Sequence, residues 1–356
     1  MILKEDVQAI YTGLSAQEIQ TLTGKTILVT GFAGSLGFML VQFLAEYRLA
    51  SKVYLLDSYV FGKPDWVNQL DTNYFTVLEA DVTTCDFPAD ANLIFHMASL
   101  ASPVYYRLHP IETMDADVIG LRRLLDFYKD KNIYNLLFYS TSEIYGDPDP
   151  NQVPTPETYW GNVNTVGPRA CYDESKRYGE TLCYNYYHVH DFPVTIVRPF
   201  NSYGPGLRVN DKRAPADFAL NVLNNEDIVL YSDGTATRTF CYNTDMTIAT
   251  LKIILQQKFD VYNAGNDQGE MTIRELAELY QSVGQELFGY IGQIVFQEHN
   301  DKHYNADNPQ RRRPNLNKVG TDLRYQACVG AQKGVGRYLK YLFDEINQTT
   351  TFRKNR

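Results

Sequence analysis

Paired cysteines are missing from this chain. Its five cysteines (Cys85, Cys171, Cys183, Cys241 and Cys328) are odd in number and widely spaced, with no Cys-x-x-Cys among them. That argues against a secreted disulfide framework and against a zinc ribbon. Basic charge is also short, with 33 Lys and Arg against 42 Asp and Glu and a net charge of −9. A general nucleic-acid binder needs a basic face to displace counterions, so no nucleic-acid partner is expected. No apolar run approaches the ~18 residues that cross a membrane, and no membrane partner is expected either. Met1 to Lys25 carries Lys4, Glu5, Asp6 and Glu18 and lacks the apolar core of a signal peptide. The six histidines (His96, His109, His188, His190, His299, His303) show no metal spacing, and no metal is predicted. Together these absences predict a reduced, cytoplasmic globular protein. The surplus is tyrosine, with 27 among 356 residues.

Residues 1–24 read as an N-terminal extension with a short helix around Ser15–Leu22. From Lys25 onward, short β-branched apolar runs alternate with helical spacing. Strands are predicted at Thr26–Thr30, Val53–Leu56, Tyr74–Leu78, Leu93–His96, Leu136–Ser140 and Val194–Arg198. Helices are predicted at Phe38–Tyr47, Ile111–Lys129 and Tyr172–His190. This alternation predicts an α/β fold with a doubly wound parallel sheet. After Asn201 it weakens. A helix near Ala216–Asn224, a strand at Ile228–Tyr231 and helices at Met271–Val283 and Val335–Phe343 suggest a smaller α/β lobe interleaved with the first. The expected division is a cofactor domain over 25–200, rejoined by 239–265, and a substrate lobe over 201–238 and 266–346. Residues 347–356 read as a polar, frayed tail.

The strongest local signal is Gly31-Phe-Ala-Gly34-Ser35-Leu36-Gly37, directly after a strand and opening a helix. Glycines permit a tight turn, and the helix N-terminus offers free N–H groups to a pyrophosphate. Asp57 ends the next strand, 20 residues after Gly37, where a carboxylate can accept ribose hydroxyls. Asp81 and Val82 follow the third strand, where an adenine pocket would lie. Ser58 and Tyr59 offer no cation for a 2′-phosphate, so the expected cofactor is NAD.

Tyr172 and Lys176 are spaced i, i+4 at the start of a long helix, which puts them on one face. An ammonium near a phenol lowers its pKa from ~10 toward working pH, so the tyrosine can take a hydroxyl proton. Ser140-Thr141-Ser142-Glu143 lies at the carboxyl end of the fifth strand, where open α/β sheets place their chemistry.

With Gly167-Pro-Arg-Ala-Cys-Tyr172-Asp-Glu-Ser-Lys176, Arg198-Pro-Phe-Asn201 and Arg238-Thr-Phe-Cys-Tyr242, the chain resembles the nucleotide-sugar branch of the extended short-chain dehydrogenase/reductases. Within that branch it is most similar to the UDP-glucuronate decarboxylases, from about Lys25 to Tyr341. The resemblance implies a Rossmann fold and NAD-dependent decarboxylation of a nucleotide-linked uronic acid through oxidation at C4. Thr141-Ser142-Glu143 is the decarboxylase pattern; related 4,6-dehydratases carry Thr-Asp-Glu, and 4-epimerases usually lack the Glu. Those two activities, and a non-catalytic NAD-binding role, are the alternatives.

Carried over by the same resemblance, Tyr172, Lys176, Thr141, Ser142, Glu143 and Arg312 form the catalytic set. Arg312, in Pro309-Gln-Arg311-Arg312, would face the substrate carboxylate or donate a proton. Ala98 and Ala101, together with Tyr172 and Lys176, would line the cofactor. Ser102, Tyr106, Asn201, Arg213, Tyr231 and Arg238 would bind the nucleotide-diphosphate sugar, with Asn201 and Arg238 on the diphosphate and Tyr231 against the base. The chain departs from the family at Asp117, usually Asn, at Phe32, Ser35 and Lys212, and in Ser202-Tyr203 and Tyr304–Asp307. A homodimer pairing the helices 111–129 and 172–190 is also implied.

Overall fold

The computed structural model describes residues 2–299 and 307–354 and opens with two helices, α1 (Ile2–Thr12) and α2 (Ala16–Leu22). Val7, Ile10 and Leu14 recur at helical spacing and are buried, with Leu22, in the same core as the first strand. Ser15 and Glu18 close a capping box on α2, and Glu18 pairs with Lys252 at 3.0 Å. Residues 2–24 are therefore not an appendage. They form part of the core, a role that the charges before Val7 (Lys4, Glu5 and Asp6) and the few apolar positions mask in the sequence. His303 and residues 304–306 of the divergent stretch lie outside the described residues.

The chain continues through β1 (Thr26–Thr30), α3 (Ser35–Tyr47), β2 (Lys52–Asp57), β3 (Phe75–Glu79), β4 (Leu93–His96) and α4 (Pro103–Leu108). Next come α5 (Pro110–Met114), α6 (Leu121–Tyr128), β5 (Asn135–Tyr139), α7 (Ala170–His190) and β6 (Val194–Pro199). They are followed by β7 (Ser202–Tyr203), α8 (Ala214–Asn224), β8 (Ile228–Leu230), β9 (Thr237–Arg238), β10 (Cys241–Tyr242) and α9 (Asn243–Ile254). The rest is β11 (Val261–Ala264), β12 (Met271–Thr272), α10 (Ile273–Phe288), β13 (Ile294–Phe296), β14 (Arg311–Arg312), α11 (Asn317–Leu323) and α12 (Ala331–Lys354).

Seven parallel strands make the central sheet in the order β11-β6-β5-β4-β1-β2-β3. This is the doubly wound Rossmann sheet that the alternating pattern predicts. One face is covered by α1, α3 and α9, whose apolar side chains share a core with β1 and β2. The other is covered by α6 and α7. The β-branched and aromatic runs of these strands are buried on both sides, as a parallel sheet requires, except in the edge strand β3, which is half-buried.

A second core joins α8, α10 and α12 beyond the carboxyl ends of the strands. Small strand pairs tie it down, and one of them decides the site: β14 pairs with β9 so that Arg312 stands opposite Arg238. Three local expectations change. Residues 111–129 are not one regular α-helix, because a π-wound turn at Asp115–Gly120 separates α5 from α6. Met271 and Thr272 pair with β9 rather than starting a helix, and the capping box of Thr272 and Glu275 starts α10 two residues later, at Ile273. The tail expected to fray from Asn347 is helical to Lys354.

Candidate active site

One cleft of about 600 Å³ runs along the carboxyl ends of β1, β2, β4, β5 and β6 and under the second lobe. Every site residue named from the sequence lines it, from Gly31 at one end to Arg312 and Tyr231 at the other. What differs is how each side chain is held.

At the β1–α3 turn, Gly31 has φ +71°, and a Cβ there would lie 2.6 Å from the Ala98 nitrogen. A Cβ on Gly37 would lie 2.3 Å from the Phe32 carbonyl oxygen. Both positions therefore need glycine, for backbone conformation or for close approach. Asp57 accepts hydrogen bonds from Ala33 N (3.0 Å) and Tyr59 N (2.9 Å), one on each carboxylate oxygen. Burial pushes its pKa up, while these two bonds and the nearby Arg208 work against that. Asp81 uses one oxygen on its own loop, accepting from Thr83 N and Oγ1. Val82 is buried. Ser35, Leu36, Ala98 and Ala101 line the wall between them. The tight glycine turn, the aimed carboxylate and the apolar wall fit a dinucleotide.

Sequence reasoning missed Arg208. It reaches from the second lobe and donates to the carbonyls of Phe61 (2.6 Å), Gly62 (3.0 Å) and Ala33 (3.5 Å). A cation thus does approach Asp57, but three of its N–H groups are already engaged by the backbone. The segment around Arg208 gives no local signal of this reach.

Deeper in the cleft, Tyr172 and Lys176 project from the first turns of α7 and both are buried. Lys176 Nζ donates to Tyr139 O at 3.0 Å and lies 3.0 Å from Asp117 Oδ1. Against the expectation that Lys176 would lower it toward working pH, burial raises the Tyr172 phenol above its ordinary range, Asp117 adds to that, and a hydrogen bond with Thr141 opposes it. Tyr106 stacks on Tyr172 with ring centroids 5.2 Å apart. His96 bonds Thr30 through Nδ1 at 2.8 Å; burial first, and then Lys176, push its pKa down to about 3, so it stays neutral.

Facing them, Glu143 sits on a single 3₁₀ turn after β5 that Thr141 caps. Arg312 grips it with two bonds of 2.7 and 2.5 Å, and Arg169 adds a third of 2.6 Å. Such forked, charge-assisted bonds are the strong ones. Burial alone would raise the Glu143 pKa, but Arg169 and Arg312 outweigh it and hold it down to about 2. Arg169 was also missed. It lies three residues before Tyr172, inside the Gly167–Lys176 motif, where it was given no role. Asp173 lies 3.8 Å from Arg169 Nε; burial and the Glu143 charge push it up to about 8.

The remaining residues are already partly engaged. Asn201 accepts from Arg312 at 3.3 Å and donates to Thr239 O at 3.2 Å. Arg213 pairs with Asp211, and Ser102 donates to Asp211 O at 2.7 Å. Tyr231 packs edge-on to His299. Arg238 donates to the carbonyls of Thr237, Pro309 and Gln310 and to the Asn308 side chain. Its guanidinium therefore holds the 308–310 segment in place.

The family model of the NAD dependent epimerase/dehydratase family matches residues 27–265. The chain is 34% identical over 313 residues to UDP-glucuronic acid decarboxylase 5 of Arabidopsis thaliana, covering 87% of this chain and 86% of the relative. It is 34% identical over 323 residues to UDP-glucuronic acid decarboxylase 1 of Xenopus tropicalis, covering 90% and 73% respectively. In fold it is similar to an epimerase from Methanothermobacter thermautotrophicus (TM-score 0.81, 18% identity, 94% and 97% covered). It is also similar to a UDP-glucuronic acid 4-epimerase from Bacillus cereus, solved with UDP-glucuronic acid and NAD (TM-score 0.74, 22% identity, 90% and 99% covered). These two likenesses speak for the fold. The family model and the decarboxylase relatives speak for descent, and this chain belongs to the NAD-dependent epimerase/dehydratase family.

Proposed function

We propose that this protein decarboxylates UDP-glucuronate, using NAD that is regenerated in each cycle. The observation that carries the reading is the pairing of Glu143 with Arg312 beside Tyr172, with Ser142 rather than an acid between Thr141 and Glu143. Loss of CO2 expels no hydroxyl, so it needs no general acid at position 142. The decarboxylase relatives support the same assignment.

Bound NAD supplies a hydride acceptor at the sugar C4 and gives the same equivalent back, so no oxidant is consumed. Gly31, Gly34, Ser35, Leu36 and Gly37 hold its pyrophosphate, Asp57 its ribose, and Asp81, Val82, Ala98 and Ala101 the adjoining walls. Tyr172, with Lys176 beside it, takes the C4 hydroxyl proton. The 4-keto group is then β to the C6 carboxylate. When the C5–C6 bond breaks, its electrons pass to the C4 oxygen, where Thr141 and Ser142 supply hydroxyl donors. Glu143, fixed as a carboxylate by two arginines, orients the ring. Arg312, or a water it orients, returns a proton to C5. Ser102, Tyr106, Asn201, Arg213, Tyr231 and Arg238 shape the sugar-nucleotide end.

Residues 25–200 with 239–265 act as the cofactor unit, and 201–238 with 266–346 as the sugar-nucleotide unit. Ile111, Met114 and Ile119 and, on α7, Tyr178, Tyr184, Tyr187 and Val189 are exposed. A homodimer through these helices would cover them. Five free thiols suit a reducing, cytoplasmic setting, and no described helix is long and apolar enough to cross a membrane. The test is a panel of UDP-, dTDP-, CDP- and GDP-linked sugars and uronates, read by product NMR. CO2 release from UDP-glucuronate supports the reading. Epimerisation or water loss from a neutral hexose, with the uronate untouched, overturns it.

A further inference from the structure

The chemistry above uses Tyr172 and Lys176 and leaves unexplained the charge buried behind them. Asp117 lies on the π-wound turn between α5 and α6 and is fully buried. Oδ1 is 3.0 Å from Lys176 Nζ, and Oδ2 accepts a hydrogen bond from Ser175 Oγ at 2.9 Å. Two consecutive residues of α7 therefore grip the two oxygens of one carboxylate. A π-turn of this kind inside a helical stretch is a common device for aiming a side chain at a functional site.

The surroundings leave this carboxylate as the counter-charge. Facing Lys176 from β4 is His96, which is neutral. The Phe138 ring of β5 lies 5.2 Å from Nζ. On α7 itself stand the Tyr172 phenol, Cys171 and Cys183, both thiols pushed up chiefly by burial. Glu180, one turn on, is engaged by Arg198 and Ser140. Among the described residues Asp117 is the anion in ion-pair contact with Lys176.

A buried ion pair is a costly way to pack a turn onto a helix, because both ions lose their hydration. An amide in the same place could accept from Lys176 through its oxygen and donate to Ser175 Oγ, whose proton goes to Tyr172 O, with the same shape. What the carboxylate adds is a full negative charge, and that charge acts on the neighbouring phenol. It offsets the ammonium whose field favours phenolate, and Tyr172 holds its proton more tightly.

We propose that Asp117 is a positioning residue that sets the pH at which Tyr172 becomes a base, by partly neutralising Lys176. This rests on the reading of Tyr172 as the base. In Asp117→Asn the acid limb of the kcat/KM profile moves down by about one pH unit, so activity below neutrality rises relative to the maximum. Asp117→Ser, also neutral, moves it the same way and serves should the asparagine variant fold poorly. Ser175→Ala keeps the charge and leaves the limb in place. A readout without turnover is the tyrosinate absorbance of each enzyme minus that of its Tyr172→Phe counterpart, whose midpoint shifts with the limb. Limb and midpoint unchanged in both neutral variants overturn the proposal. Wild-type turnover in Tyr172→Phe alone would instead overturn the base assignment beneath it.

Discussion

The two ends of the cleft are built on opposite plans. The cofactor end comes from one continuous strand–turn–helix, β1 to α3, and from the tips of neighbouring strands. Its bonds are mostly local or within the sheet; Asp57, for example, is fixed by Ala33 and Tyr59. The reactive end is assembled from distant segments. Glu143 meets Arg312, 169 residues away, and Arg238 holds Pro309, 71 residues away. The first end stands on backbone shape and the sheet register. The second stands on a few buried charges whose balance requires every partner. A lesion at the cofactor end should therefore weaken one ligand, whereas a lesion at the reactive end should stop chemistry or unbalance the fold.

Tyr172→Phe makes the sharpest cut between the two. It removes the proton acceptor and leaves the nucleotide walls intact, so kcat/KM should fall on the order of a thousandfold, with NAD affinity by calorimetry unchanged. Equal loss of both would merge the two ends into one unit. Next in size is Glu143→Gln, which leaves Arg169 and Arg312 buried without their shared anion. Urea melts should show a loss of roughly 3 kcal/mol, with turnover down about a hundredfold. Wild-type stability would mean the arginines find other partners.

Asp57→Ala attacks the opposite end. NAD affinity should weaken by roughly ten- to a hundredfold, while sugar-nucleotide affinity holds. The smallest effect is in pH. The folded-state pKa of Glu143, about 2, lies below its ordinary value of 4.5, so the cluster's contribution is complete above 4.5. It is lost as pH falls from there toward 2. Acid melts of the wild type should show this loss, and melts of Glu143→Gln should lack it.

Legibility in the sequence follows the same division. The sheet, the glycine turn, Asp57 and the Tyr172/Lys176 pair rest on periods and spacings within about twenty residues, and a reader of the chain can find them. Arg312 was reached only through resemblance, because a basic run looks the same whether it is solvated or buried. Arg169 and Arg208 were missed, since their partners lie far away in the chain. The N-terminal helices were misjudged because Val7, Ile10 and Leu14 are only three apolar positions in a short stretch headed by Lys4, Glu5 and Asp6. Their burial depends on α3 and α9, which the local pattern cannot announce.

The central claim is that this cleft removes CO2 from a uronic acid. The most direct measurement is incubation of the protein with NAD and UDP-glucuronate carrying ¹³C at C6, followed by NMR. One labelled CO2 for each UDP-linked pentose or 4-keto pentose formed, with the added NAD undiminished once the pentose is released, is the expected result. A 4-epimeric uronate that keeps its labelled carboxylate, with no CO2, would contradict it.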